Sequence, residues 1–437
     1  MSLVELLVLL GVLWMGQVAV TRWWLGMGAG APVVMSSARD QASNGLLLPV
    51  LVFAMAAVAL PRFTVNFSYG ALLDDLGFST ALLDHIYSWS PLLGVAIAGG
   101  LLLLLSRNGV ASTAGMMLIG MLGVLVGGAG LSVSTTFMPL FTAQSIVFAG
   151  SLIVGAAAAS ELAGRIAPYG LPVQLAWLSL GTSAALLFWN ALGGAYVNEF
   201  GRQTVSQWTL APLLLAAPAL GIAGLRGLRR SSGRDPNRVP KVAYQVLLAM
   251  FLHAGAAAGG GFWFGSFLIR SFGSSLDELQ SVQTAIAVAG AAGVIGGGYL
   301  SRWLAQDDVA WLMRVPALSA VVLALLCAAA YQSDSLAAAV ALGVAAGIAA
   351  GVWTAPVYAT LLVVLPVNRR PLMYALAGGV VSIGVSQGND LVGMMSDLLG
   401  LGGLSLAVPA SVGIFGVLAA MVSSSVAREL PGELGRA

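Results

Sequence analysis

Apolar stretches of membrane-crossing length follow one another along nearly the whole chain, each ended by glycine, proline or charge. A crossing helix needs about 20 mostly apolar residues. On that measure twelve spans are predicted, at 46–71, 82–105, 111–131, 136–159, 172–196, 208–225, 242–269, 281–303, 310–331, 335–364, 372–398 and 403–424. Another apolar segment, 3–20, precedes them. Its short leading region carries Glu5 and no basic residue, and Arg22 follows it. That charge pattern favours a retained extra helix with its N-terminus outside over a cleaved signal peptide.

The pattern is doubled. FWNALGGAYVNEFG in the first half returns as QGNDLVGMMSDLLG in the second, with Asn190, Leu192, Gly194 and Gly201 mapping onto Asn389, Leu391, Gly393 and Gly400 at a constant offset of 199. DLGFST at 75–80 resembles SFGSSL at 271–276, and Ser106-Arg107 resembles Ser301-Arg302. The expected organisation is therefore two related six-helix bundles. An N-terminal helix and connector occupy 1–45, the first bundle 46–225, a polar linker 226–241, the second bundle 242–424 and a tail 425–437. An all-α membrane protein made of two pseudo-symmetric bundles plus one extra N-terminal helix points to a secondary transporter.

Composition removes the soluble alternatives. Charged residues are 8% of the chain, against about 25% in a soluble domain whose surface must meet water. Charge distribution orients the bundles. With the first span starting in the cytoplasm, 16 of the 19 basic residues fall in inner segments. The exceptions are Arg62, Arg202 and Arg270, while Asp74, Asp75, Asp84, Glu199, Asp277, Glu278, Asp334 and Asp397 fall outside. The linker RGLRRSSGRDPNRVPK reads as an inner loop, for which a nucleic-acid role is unnecessary. Cys327 is the only cysteine, and His85 and His253 stand far apart, so neither a disulfide nor a metal site is expected, and no cofactor. Lysine occurs once, at Lys241, while Ala, Gly and Arg are plentiful. This usage suits a GC-rich bacterial genome and hence a bacterial inner membrane. Nothing in the chain calls for an oligomer, and a monomer among membrane lipids is expected.

Six spans, a basic linker and six related spans resemble the major facilitator superfamily. GGLLLLLSRNG after the second span and GGYLSRWLAQDD after the eighth are similar to its loop motif, with Arg107 and Arg302 in the arginine place. FLIRSFGSSLDEL, LPVNRRPLMYALAGG and LVGMMSDLLG resemble the bacterial Spinster-like branch. The chain departs from that branch at Ser106 and Ser301, where the motif has an acidic residue. It departs again at Pro61-Arg62, which replaces an Asp-Arg pair, and at Gln144 and Ser151, which replace an Arg and a Glu of the fourth span. The resemblance implies alternating access and raises lysolipid-like solutes.

An ionisable side chain inside hydrocarbon costs about 2.5–3.5 kcal/mol on insertion scales, so each one calls for an explanation. Arg62 lies just past the middle of the first span, with Asn66 and Tyr69 on the same helix face. A guanidinium there suits a carboxylate or phosphate of a solute; a structural ion pair or a side chain reaching an interface is the plainer reading. His253, near the middle of the seventh span, is either a proton-coupling or solute-contacting group or a packing residue. Asp390, in the outer half of the eleventh span, could pair with Arg62, with His85 or with a coupling proton; a gate contact with His85 is preferred. Asn190 and Asn389 read first as interhelical hydrogen-bond partners at the gate. Thr354 and Tyr358, one turn apart beside Trp353, are candidate cavity residues or part of a packing stripe.

No enzyme motif such as H-E-x-x-H, G-x-S-x-G or a Walker loop appears. A channel suits two fused halves less well than alternating access does. The reading is a transporter, secondary active or facilitative, of a small organic, anionic or amphipathic solute, with protons as candidate coupling ions. The rival is a non-transporting sensor or assembly protein on a degenerate transporter scaffold. One element is directly testable. With Cys327 replaced by Ala, a Ser2→Cys variant is expected to react with a membrane-impermeant maleimide added outside; protection from the reagent overturns the outside N-terminus.

Overall fold

The computed structural model describes residues 38–67, 72, 79–107, 112–222, 239–399 and 403–435. The segment 3–20, most of 226–241 and Tyr69 lie outside these residues, as do the side chains of Asn66, His85, Arg107 and Asn190.

All the regular structure described is helical. The first four spans are α1 (Ala38–Phe67), α2 (Thr80–Arg107), α3 (Thr113–Val133) and α4 (Phe137–Arg165). α5 (Leu171–Phe188) runs into a π turn, Trp189–Gly193, and continues as α6 (Gly194–Phe200). Gly201 then takes a φ of 76°, open only to glycine at low cost, and the chain restarts as α7 (Arg202–Trp208) and α8 (Ala211–Ile222). In the second half, α9 (Lys241–Phe262) and α10 (Phe264–Phe272) share the seventh span, broken at Trp263. α11 (Leu276–Ala305) opens with a capping box in which Ser275 and Glu278 satisfy each other's backbone N–H groups. α12 (Trp311–Tyr331) follows, and α13 (Leu336–Val352) and α14 (Thr354–Val364) share the tenth span, broken at Trp353. α15 (Arg370–Leu399) and α16 (Leu404–Gly435) complete the set.

Ten of the described segments are long and apolar enough to cross a membrane, and the chain is an integral multi-pass protein. Two predicted spans are not among these ten. The sixth is described as the twelve-residue helix α8, with residues 223–225 outside the described residues. The eleventh is a continuous 30-residue helix diluted by Ser382, Ser386, Gln387, Asn389 and Asp390. The tail expected from 425 onward is helical to Gly435, because Ser423, Val426, Ala427 and Leu430 form one buried stripe at helical spacing.

The chain divides into two compact units. The first is Met1–Ser90 with Leu104–Glu161 and Trp177–Leu228; the second is Pro91–Leu103 with Leu162–Ala176 and Arg229–Ala437. Hydrophobic force cannot press helices together in lipid, so close backbone contact must do so, and glycine permits it. In the first unit Gly120 of α3 faces Gly150 of α4, and Gly181 of α5 meets the Val52 carbonyl of α1. In the second unit Gly384 and Gly388 of α15 lie against the Phe251 and Gly255 carbonyls of α9. Gly293 and Gly297 of α11 do the same against Ile348 and Val352 of α13 and its end. Two larger apolar clusters fill the second unit, one around Phe264, Phe267 and Tyr331, the other around Met250, Met313 and Trp353.

This seam sets up a clear contrast. A side chain at Gly388 would strike the α9 main chain, and overpacking of this kind costs about 1–3 kcal/mol. Gly388→Val is expected to lower the melting temperature of the purified protein, whereas Gly413→Ala, where an added carbon meets nothing, leaves it unchanged or slightly higher. Equal melting of the two variants would contradict the seam.

Candidate functional site

The first unit places a cation inside its apolar core. Arg62 sits one residue after Pro61, within α1, and is half-buried. Its guanidinium carbon lies 4.1 Å from the ring centre of Phe148 on α4 and 5.7 Å from that of Phe63. Both are inside the range at which a ring face attracts a cation. Gln144, one turn before Phe148, donates from Nε2 to the Arg62 carbonyl at 2.9 Å. Arg202, another of the three outer arginines, has a structural task. Its two terminal nitrogens donate to the Leu131 and Ser134 carbonyls at 2.7 Å each, closing the C-terminus of α3.

The second unit holds the other candidates in two separate places. His253 is 1% exposed. Its Nε2 shares a hydrogen bond of 3.1 Å with Ser423 Oγ of α16, and its ring stacks on Trp353 at 5.2 Å and 13°. Which of His253 and Ser423 donates depends on the imidazole tautomer. Trp353 forms the joint between α13 and α14, so Thr354, half-buried, directly follows the stacked ring. Tyr358, one turn on, packs on Tyr374 at 5.0 Å. The structure thus groups His253 with Trp353 and Ser423, and Tyr358 with Tyr374.

Asp390 stands apart from them. It is exposed on α15 and accepts from Ser386 Oγ at 3.4 Å, one turn away. Asn389 is held through its main-chain carbonyl, which accepts from Trp263 Nε1 at 3.2 Å, while its Oδ1 is buried with no partner. Asn389 thus accepts one hydrogen bond from another helix through its main chain. Arg302 is half-buried in the last turn of α11, after a buried Ser301. The contacts expected for Asn66, Tyr69, His85, Asn190 and Arg107 lie outside the described residues.

Sequence reading missed Phe148, Trp189, Trp263 and Ser423. Ser423 offered a signal, since a serine run inside an apolar span is unusual and Ser423 opens one. Phe148 offered none, because an aromatic in a transmembrane helix is ordinary packing until its neighbour is known.

No protein-family profile matches the chain, and no curated protein matches it by sequence. Solved structures do. A bacterial homologue of the human lysosomal transporter Spinster, in an inward-facing and occupied conformation, is 20% identical, with 90% of this chain and 98% of that one covered at a TM-score of 0.58. A bacterial homologue of the iron transporter ferroportin, outward-facing, is 13% identical, with 88% and 99% covered at 0.68. The human organic anion transporter MFSD10 is 14% identical, with 89% and 100% covered at 0.66. The chain has the major facilitator fold. This agrees with the two-bundle organisation and with the resemblance to the Spinster-like branch, and the similarity spans almost the full length of each solved chain.

In the major facilitator fold built here, His253 depends on Ser423 alone for the one hydrogen bond resolved at its Nε2. Removing one partner of a buried pair leaves the other unsatisfied at a cost of about 1–3 kcal/mol, whereas removing both is close to neutral. Ser423→Ala is expected to lower the melting temperature, and adding His253→Phe, which keeps a ring to stack on Trp353, is expected to recover most of the loss. A double variant less stable than Ser423→Ala would overturn this account of the pair.

Proposed function

We propose that the protein is a membrane transporter that moves a small organic solute, anionic or amphipathic, by alternating access. The observation that carries this reading is Arg62, a cation held against the Phe148 ring within a helix of the first unit. A guanidinium is well shaped to pair with the carboxylate or phosphate of an entering solute. The fold supports transport. Solved structures that share it are transporters by their own descriptions, captured facing inward and facing outward. Thr354 and Tyr358 are the corresponding solute-facing candidates of the second half, and Asn66 and Tyr69 are proposed with Arg62 from their spacing in the sequence alone.

Proton coupling is proposed at Asp390. Its carboxylate is exposed, whereas the His253 imidazole is enclosed by Trp353 and Ser423. A charged side chain on the exposed face of a crossing helix needs water or a partner, which suits a carboxylate that loads and releases protons. The setting proposed is a bacterial inner membrane, with the protein acting as a monomer.

Purified protein screened against carboxylates, phosphate esters and lysophospholipids should show thermal stabilisation by a ligand that binds only the folded state. Arg62→Ala is expected to abolish that stabilisation, and liposomes carrying the protein should take up the same labelled compound. Unchanged binding by Arg62→Ala would remove the anchor role. Uptake should respond to an imposed pH gradient and lose that response in Asp390→Asn; uptake indifferent to the gradient would remove proton coupling.

A further inference from the structure

The helix that carries Arg62 has a proline inside it one residue earlier. Pro61 has no N–H, so the Ala57 carbonyl loses its ladder partner, and the proline ring presses on that turn. Three buried side chains from two neighbouring helical segments bring donors to the carbonyls around this point. Trp189 Nε1 donates to Leu60 at 2.9 Å and Gln144 Nε2 to Arg62 at 2.9 Å, and the one Ser151 hydroxyl proton is shared between Val58 at 3.0 Å and Val147 of its own helix at 2.9 Å. Because a carbonyl accepts there, the Gln144 amide nitrogen must face it, which fixes the orientation of that amide.

The donors are arranged on two sides. Gln144, Phe148 and Ser151 are four and three residues apart, so they form one stripe along α4. That stripe holds Arg62 twice, by its carbonyl through Gln144 and by its guanidinium through Phe148. Trp189 comes from the other side. It is 0% exposed and is the first residue of the π turn, a local widening that re-aims side chains in an otherwise regular helix. A long cationic side chain in an apolar helix otherwise stretches towards the nearest polar interface.

We propose that Gln144, Ser151 and Trp189 are positioning residues for Arg62: they hold the backbone carbonyls of Val58, Leu60 and Arg62 so that the guanidinium stays over Phe148. The functional meaning rests on the reading of Arg62 as solute anchor; the placement itself is measurable without a solute.

The test uses phenylglyoxal, an arginine-specific reagent, on the purified full-length protein, with the modification rate of Arg62 read by peptide mass spectrometry. Ser151→Ala, Gln144→Leu and Trp189→Phe are each expected to speed modification of Arg62 about fivefold, the factor that one hydrogen bond of typical net strength represents. Ser151→Thr, which keeps the hydroxyl, should restore the slow rate. Melting curves identify any variant that fails to fold, and the Ser151 pair carries the test if Trp189→Phe is one of them. Equal rates in all variants, or Ser151→Thr behaving as Ser151→Ala, overturn the proposal. The two ideas fail separately: unchanged solute binding by Arg62→Ala sinks the anchor and leaves the labelling result, while equal labelling sinks the positioning and leaves the anchor.

Discussion

Away from water, a main-chain carbonyl that leaves its helix ladder must find a donor within the protein, and an unmet group costs several kcal/mol. Additional donors gather at several points described in this chain. Around Pro61 the donors are Ser151, Trp189 and Gln144. At the break between α9 and α10, the Tyr331 hydroxyl donates to the Gly260 carbonyl at 2.8 Å. Arg202 closes α3, and Arg370 donates to the Leu365 and Ala163 carbonyls where α14 and α4 end. Long donors therefore sit where helices bend or stop. The proposed anchor for a solute lies at one of these repaired points, so the site and the repair share their residues.

Much of this was legible in the sequence, and the limits have physical causes. Apolar run length gave most of the spans, because hydrocarbon thickness sets helix length directly. It located the break near Trp353 only as a candidate cavity wall, since a bend of one residue leaves no mark on hydropathy. Arg62, His253 and Asp390 stood out because charge in an apolar run is conspicuous. Their partners did not stand out. Phe148, Ser423 and Trp189 are unremarkable in composition and gain meaning from residues 86, 170 and 129 positions away in the chain or more nearly so, joined by contacts that only the folded helices create.

Gln144 and Ser151 illustrate the same point from the other direction. Against the resembled branch they read as lost charges, and a loss suggests decay of function. In the structure each is a buried donor onto the helix that carries Arg62. Replacing a charge with a short neutral donor removes a desolvation cost and keeps a directional bond. A substitution that looks like degeneration along the chain is a working contact across it.

The internal repeat ends on an asymmetry of the same kind. At the offset that aligns Asn190 with Asn389, Trp189 aligns with Gly388. In the first copy that place holds the largest side chain, reaching across to the Leu60 carbonyl of α1. In the second it holds none, and α15 lies directly on the α9 backbone. One place in the repeat thus serves two kinds of helix contact: a glycine at 189 would take the indole donor from the Leu60 carbonyl, and a tryptophan at 388 would meet the Gly255 backbone with no room for its ring.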